Sequence, residues 1–284
     1  MTPEKTGTWI ECLECGARYA LRDDVILCSR CGGLLEVVHE PGDARAWEEA
    51  LLRNAYVKSL WRYRDFLPIA GESSIVSLGE GGTPLVSAEG YGLSLGIRRL
   101  HLKLEFLNPT GSFKDRGTTI NISHAKEMGV RSVMDDSSGN AGSSLAAYAA
   151  AAQMDCRLYT PATASREKLT QAEMYGARVV KVEGPRAEVS RRAEEAWRAG
   201  EAHYASHALS PFFIEGTKTI AFEIAESRDG LPDHMVFPVG GGSLLLGAWK
   251  GFSELKSLGV LTSIPRLHGI QSEACDPVVR AFKA

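Results

Sequence analysis

Two stretches, Asn108-Pro-Thr-Gly-Ser-Phe-Lys-Asp-Arg-Gly117 and Pro238-Val-Gly-Gly-Gly-Ser243, decide how this chain folds. The first stretch places Lys114 on a glycine-containing loop at the predicted start of a helix. The second places a glycine triplet at the predicted start of another helix, where free backbone N–H groups bind a phosphate. Its loop residues are Gly240, Gly241, Gly242 and Ser243. The two stretches therefore offer an amine and a phosphate-binding loop.

Short β-type runs alternate with helical stretches from residue 99 onward. The predicted strands are Arg99 to Leu104, Ser132 to Asp135, Cys156 to Thr160, Arg178 to Val182, His234 to Val239 and Arg266 to Gln271. The predicted helices are Lys114 to Met128, Asn140 to Gln153, Arg166 to Tyr175, Arg186 to Arg198, Gly216 to Ser227 and Ser243 to Leu258. This alternation is typical of the α/β class, with parallel sheets covered by helices. Ligands bind beyond the carboxyl ends of such strands, where loops 108–117, 137–142 and 240–243 are predicted to lie.

The lysine and the glycine triplet together indicate pyridoxal phosphate, because an amine binds its aldehyde and the loop binds its phosphate. Alone, Lys114 would be interpreted as a solvated lysine at a helix start. A lone glycine triplet would be interpreted as a flexible turn. The combination of both, with the triplet directly after a β-run, favours the cofactor site.

The N-terminal region carries two Cys-x-x-Cys-Gly units, a strong signal for a zinc ribbon. The four predicted ligands are Cys12, Cys15, Cys28 and Cys31. Each glycine lets the backbone turn towards the metal, and the gap between the pairs leaves room for a short hairpin through Tyr19 to Leu27. Disulfides, a redox dithiol and an iron centre are alternatives. Four thiolates leave no open coordination position, so the expected role of zinc is structural.

Four motifs in this order resemble the fold-type II family of pyridoxal phosphate enzymes, and among them the threonine synthase family. They are Asn108 to Gly117, Ser137-Ser-Gly-Asn140, Glu215 to Glu223 and Pro238 to Gly242, and Glu80 to Leu85 and the ribbon fit as well. The resemblance implies the tryptophan synthase β-subunit-like fold with two parallel-sheet domains. The implied units are a ribbon at 1–40, a large domain at 41–102 and 206–284, and a small inserted domain at 103–205. It also implies that the C-terminal part of the large domain is missing.

The resemblance assigns roles to individual residues. Lys114 would bind the cofactor and move the substrate's α-proton. Asn140 would hydrogen-bond the cofactor ring oxygen, and the glycine triplet with Ser243 would hold the phosphate. The implied substrate-binding residues are Thr83, Ser137, Ser138, Gly139 and Ala141. Consecutive N–H groups at a helix N-terminus suit a substrate carboxylate, although Ser138 or Asn140 as a simple helix N-cap is an alternative.

The implied activity is that of a lyase in amino-acid biosynthesis, converting O-phosphohomoserine and water to threonine and phosphate. Three departures weaken that substrate: Phe213 replaces an arginine that grips the substrate phosphate, Ala141 replaces a threonine, and Gly82 replaces an asparagine. The alternatives are a serine or threonine ammonia-lyase and a cysteine or cysteate synthase-like enzyme. A non-catalytic zinc-ribbon protein on an enzyme scaffold is a third hypothesis.

Composition limits the partners. The chain has 284 residues, a formal net charge of -3 and a pI near 6.2, so no broad basic field attracts nucleic acid or anionic lipid. The stretch Met1 to Ile10 lacks the apolar run of a secretory signal, and no apolar run is long enough to span a membrane. These features predict a cytoplasmic protein with a small-molecule amino-acid substrate, and we expect a homodimer.

Two acidic residues and one histidine stand apart from these motifs. Asp135 and Asp136 follow a predicted strand, and we expect them to face solvent or to brace the next loop. The histidines show no metalloprotease or triad spacing. His207, close before the Glu215 motif, is the one histidine that the sequence marks for attention.

Overall fold

The computed structural model describes residues 5–40, 42–227 and 230–283 of the chain. Pro41, the predicted start of the large domain, and Ala284, its predicted end, lie outside the described residues. Within those ranges, every helix is too short or too polar to cross a membrane.

The N-terminal unit is a three-stranded antiparallel sheet in the order β2-β1-β3. Its strands are β1 (Thr8–Cys12), β2 (Arg18–Tyr19) and β3 (Leu35–His39). The predicted hairpin through Tyr19 to Leu27 is wrong, because residues 20–27 form turns and β1 pairs along its length with β3. Leu21 and Ile26 are buried against the rest of the protein. Their burial holds the segment down on the core instead of in a hairpin.

The segment after the ribbon packs through aromatic rings. Helix α1 (Ala44–Arg53) begins at Asp43, whose side chain accepts a hydrogen bond from the Ala46 N–H at 2.8 Å. A 3-10 helix follows at Leu60–Phe66. Trp47 of α1 stacks on Tyr63 with ring centroids 5.7 Å apart, and both rings contact Phe222.

The predicted strand at 99–104 belongs to a different sheet from the one expected. Strand β4 (Leu85–Ser87), helix α2 (Glu89–Ser94) and strand β5 (His101–Lys103) form a compact unit in which β4 and β5 are antiparallel. The short connection through α2 permits this antiparallel pairing, whereas a parallel pair needs a longer crossover. Loop 108–117 therefore does not follow a strand of a parallel sheet. It follows a 3-10 turn at Glu105–Leu107.

The other predicted strands form two parallel sheets. The larger one has the order β8-β7-β6-β9, and a parallel pair consists of β10 and β11. Their bounds are β6 (Ser132–Asp135), β7 (Asp155–Pro161), β8 (Arg178–Val182), β9 (His203–Tyr204), β10 (His234–Pro238) and β11 (Arg266–Ile270). The predicted α/β architecture with parallel sheets is confirmed. The predicted domain limits stay a prediction.

Helices flank these sheets at nearly the predicted positions. They are α3 (Lys114–Glu127), α4 (Asn140–Ala151), α5 (Arg166–Met174), α6 (Arg186–Arg198), α7 (Pro211–Thr217), α8 (Thr219–Ala225), α9 (Ser243–Ser257) and α10 (Pro277–Lys283). The helix predicted at Gly216 to Ser227 is wrong at its start and is divided into α7 and α8. Pro211 begins α7, because the fixed φ of proline suits the first helical turn.

Helices α3 and α7 lie in direct backbone contact at the centre of the molecule. A Cβ atom on Gly216 would lie 1.8 Å from the Arg116 carbonyl oxygen, and one on Gly117 would lie 2.5 Å from the Phe213 ring. Only glycine permits so close an approach at these positions. The contact fixes the first turn of α3, which carries Lys114, against Phe213 of α7.

Candidate functional site

The two stretches that opened the sequence meet in space. Lys114 begins α3 and Ser243 begins α9, and the Lys114 Nζ atom donates to the Ser243 Oγ atom across 3.5 Å. The lysine is partly buried, and its Nζ atom lies 4.4 Å from the centroid of the Phe113 ring. Burial lowers the pKa of Lys114, while the Asp135 carboxylate acts in the opposite direction. The amine and the glycine loop therefore face one site.

The glycine loop leaves open space in front of α9. Strand β10 ends at Pro238, and Gly242 has a φ of 89°, which favours glycine. A Cβ atom on Gly240 or Gly241 would meet no heavy atom within 4 Å. The first turn of α9 has no side-chain cap, so its backbone N–H groups are available to an anion.

The loop after β6 supplies a second uncapped helix start. Gly139 is the N-cap residue of α4, and neither Ser138 nor Asn140 caps the helix. The interpretation of these residues as a simple N-cap is therefore wrong. Ser137 accepts a weak hydrogen bond from the Gly139 N–H at 3.3 Å, Asn140 is exposed, and Ala141 is buried. The first turn of α4 can bind a carboxylate through its backbone.

Thr83 lies in a buried ionic network. Its hydroxyl donates to Glu105 at 2.7 Å and accepts from Arg116 at 3.1 Å. Arg116 is completely buried between Glu105 and Glu223, at 2.7 and 2.6 Å. This network explains why Arg116 follows Lys114 so closely, since it anchors the first turn of α3. The Thr83 hydroxyl therefore has structural partners already.

Asp135 and Asp136 are buried, so the expectation that they face solvent is wrong. Asp136 braces α6 instead, accepting from Ser190 at 2.6 Å and pairing with Arg186 at 2.8 Å. Asp135 accepts from the Nδ1 atom of His207 at 2.8 Å. His207 thus has a carboxylate partner that its distance along the chain concealed.

Phe213 joins these groups into one wall. Its ring is buried, with its centroid 5.5 Å from the Lys114 Nζ atom and 6.3 Å from the His207 ring. The position at which the sequence analysis expected an arginine therefore presents an apolar ring beside the lysine. No bidentate donor for a substrate phosphate exists at residue 213.

The four cysteines of the ribbon form a cluster in which all Sγ atoms lie within 4.8 Å of one another. The separations are 3.5 Å for Cys12 and Cys31 and 3.6 Å for Cys15 and Cys28, and all four are free thiols. A tetrahedral Zn²⁺ with Zn–S bonds of about 2.3 Å needs Sγ separations of roughly 3.8 Å. The cluster fits a closed metal site without large rearrangement.

Comparison with known proteins places the same residues in a recognised family. Residues 76–284 match the family model described as "Pyridoxal-phosphate dependent enzyme". The chain is 38% identical to a threonine synthase of Methanocaldococcus jannaschii over 96% of its own length and 67% of that protein. It is 38% identical to a threonine synthase of Methanosarcina acetivorans over 97% of its own length and 67% of that protein. The chain thus spans about two thirds of the length of these relatives.

A solved structure agrees with these relatives. The fold is similar to that of a threonine deaminase whose source is abbreviated T.th., with a TM-score of 0.61 and 25% identity. The match covers 85% of this chain and 68% of that one. The similarity extends over most of the residues described above.

Proposed function

The chain belongs to the family of pyridoxal-phosphate dependent enzymes, and from that premise we propose that it is a lyase of threonine synthase type. The reaction would convert O-phosphohomoserine and water to threonine and phosphate. The family inferred from the sequence motifs is confirmed by these matches. The observation that carries the proposal is the contact of Lys114 with the start of α9, beside the open glycine loop.

The residues present fit pyridoxal phosphate. The uncapped first turn of α9 and the loop from Gly240 to Ser243 would hold its phosphate, and Lys114 would bind its aldehyde. Asn140, exposed at the start of α4, would reach the ring oxygen. When bound, the cofactor supplies an electron-withdrawing ring that stabilises negative charge at the substrate's α carbon.

Lys114 is the proposed acid–base group for the carbon protons. Its depressed pKa keeps more of the amine neutral at neutral pH, which is the form that accepts a proton. The first turn of α4, at Ser137 to Ala141, would bind the substrate carboxylate through backbone N–H groups. Thr83 would act from its edge of the site, although its hydroxyl is already held by Glu105.

The proposed activity is tested by incubating the enzyme, loaded with pyridoxal phosphate, with O-phosphohomoserine. We expect threonine and inorganic phosphate in equal amounts, measured by amino-acid analysis and a phosphate assay. A loaded enzyme that releases neither product would reject the threonine synthase assignment.

Phe213 favours a second candidate function, the elimination of water from serine or threonine. A buried aromatic ring suits a substrate without a phosphate, because it offers no charge-assisted hydrogen bond to an anion. Pyruvate from serine or 2-oxobutyrate from threonine would identify this activity in the same set of assays. A cysteine or cysteate synthase-like β-replacement would instead require an added nucleophile.

We propose that the cysteine cluster binds one structural Zn²⁺. Strand β3, which follows Cys31, reaches α7, where the His39 Nε2 atom donates to buried Glu215 at 2.6 Å. The ribbon is thereby attached to the helix that carries Phe213. The homodimer, the cytoplasmic location and the domain limits stay predictions.

Removal of zinc is expected to destabilise the protein. Chelation should lower its free energy of unfolding by roughly 4 kcal/mol, the effect of losing a ligand present at about a thousandfold excess over its Kd. Metal analysis and thermal unfolding before and after chelation measure the effect. Cys12→Ser should abolish the metal content, whereas Cys275→Ser, at an exposed cysteine outside the cluster, should leave it unchanged. Equal stability with and without chelator would contradict a structural metal.

A further inference from the structure

Asp135 and His207 form a carboxylate and imidazole pair that the proposed function does not yet use. Asp135 ends β6 and is 1% exposed, and its Oδ2 atom accepts from His207 Nδ1 at 2.8 Å. Its other oxygen, Oδ1, is buried without a hydrogen-bond partner among the described residues. The His207 side chain is 24% exposed. A carboxylate at Nδ1 fixes the proton there and leaves Nε2 free to exchange a proton.

This pair lies in the site of Lys114. The Phe213 ring is the common neighbour, 5.5 Å from the Lys114 Nζ atom and 6.3 Å from the His207 ring. Asp135 directly precedes the loop whose backbone would hold the substrate carboxylate, and its charge acts on Lys114. The imidazole is therefore a second titratable group in the site, on the side of Phe213.

We propose that His207, oriented by Asp135, is the acid–base group that exchanges a proton with the oxygen at the substrate's β carbon. In the direction of threonine formation, a water oxygen bonds to the β carbon while one water proton moves to His207 Nε2. The electron pair of the carbon–carbon double bond moves to the α carbon, which then takes a proton from Lys114. In the opposite direction, His207 protonates the departing hydroxyl group.

The charges around His207 favour this role over binding of a phosphate. Protonated His207 and Asp135 form a pair without net charge, and Asp136 is neutralised by Arg186. Lys114 is the remaining charged group that acts on the imidazole, and Phe213 contributes an apolar ring. A phosphate dianion needs an excess of positive charge, whereas proton exchange with water needs a group that titrates near neutral pH.

The Asp135 carboxylate raises the pKa of His207 above its usual value, against the effects of burial and Lys114. The neutral imidazole accepts the proton of water, so the rate of water addition should rise with pH through the pKa of His207. Replacing Asp135 by asparagine should move that rise to lower pH.

The inference rests on the proposed function, because it needs an amino acid held by the cofactor. It does not depend on which candidate is right. Addition of water at the β carbon and loss of hydroxide from it are one step in two directions, and both need the same group.

The test separates the β-oxygen step from the α-proton step. In the loaded enzyme, His207→Gln should lower threonine formation from O-phosphohomoserine, or elimination from serine and threonine, about 10²-fold. Exchange of the substrate's α hydrogen with D₂O and the visible absorbance of the cofactor should stay within about twofold of wild type, since Lys114 is intact. His268→Gln, an exposed histidine on β11, should leave all three readouts unchanged.

Two outcomes would overturn the role of His207. One is an unchanged rate in His207→Gln, and the other is a parallel loss of α-hydrogen exchange and turnover, which would indicate a structural role only. If wild-type enzyme turns over none of these amino acids, the proposed function fails separately. NMR titration of the imidazoles then decides the inference. A His207 pKa that does not fall in Asp135→Asn would reject the pair.

Discussion

Replacement of Lys114 by alanine is expected to abolish turnover, with a fall of roughly 10⁴-fold, the upper end of what a positioned acid–base group contributes. The alanine has neither an amine for the aldehyde nor a proton acceptor for the α carbon. The visible absorbance that the cofactor acquires on binding through an amine should also be lost. Activity assays and absorbance spectra of the purified variant measure both effects.

A lysine on the same helix provides the matched control. Lys126 is exposed near the end of α3, far along the helix from Ser243, so Lys126→Ala should keep the spectrum and the rate of the wild-type enzyme. Lys114→Arg keeps the positive charge but not the nucleophilic amine, and should be as inactive as the alanine variant. A spectrum in Lys114→Ala equal to that of wild type would show that another group binds the aldehyde, and would reject the site described above.

The sequence predicted this site well because local rules govern its parts. The loop before Lys114 and the triplet before Ser243 each combine glycine with a helix start, and such local patterns are readable in one segment. The family resemblance then brought the two segments together, and the contact between Lys114 and Ser243 agrees with it. Helix α6 and strands β6 and β8 also lie where the periodicity of the chain places them.

The errors concern pairings between distant segments. The register of β1 with β3 spans the whole cysteine region, and nothing in residues 20–27 announces that Leu21 and Ile26 are buried by other parts of the chain. Strand β5 was correctly located but was assigned to the wrong sheet, because periodicity identifies a strand without identifying its partner. Packing that forms only in the folded chain decides both cases.

The pair of Asp135 and His207 shows the same limit for function. Each residue was noticed in the sequence, but they are far apart along the chain, and neither belongs to a motif. Asp135 was expected to face solvent because most aspartates do. The alternation of strands does offer a usable signal, since β6 and β9 are neighbours in one sheet and His207 closely follows β9. A sheet order would have predicted their proximity.

Replacement of Gly216 by alanine is expected to destabilise the protein by about 3 kcal/mol or more, because it forces apart two helices packed without side chains between them. The added Cβ atom would lie 1.8 Å from the Arg116 carbonyl oxygen and 2.8 Å from the Gly117 Cα atom. Both are backbone atoms of α3, so no rotamer change relieves the overlap. Arg116 is also fixed by Glu105 and Glu223, which prevents a local shift of that turn.

The displacement must reach the cofactor site, because α7 carries Phe213 and α3 carries Lys114. Urea unfolding should show the loss of stability, and titration with pyridoxal phosphate should show weaker binding by the folded fraction. Gly90→Ala is the control: Gly90 is exposed in α2 with open space at its Cβ position, so alanine there should be neutral or stabilising by up to about 1 kcal/mol. If Gly216→Ala unfolded at the urea concentration of wild type, α3 and α7 could separate at little cost. The close backbone contact would then not be what holds Lys114 against Phe213.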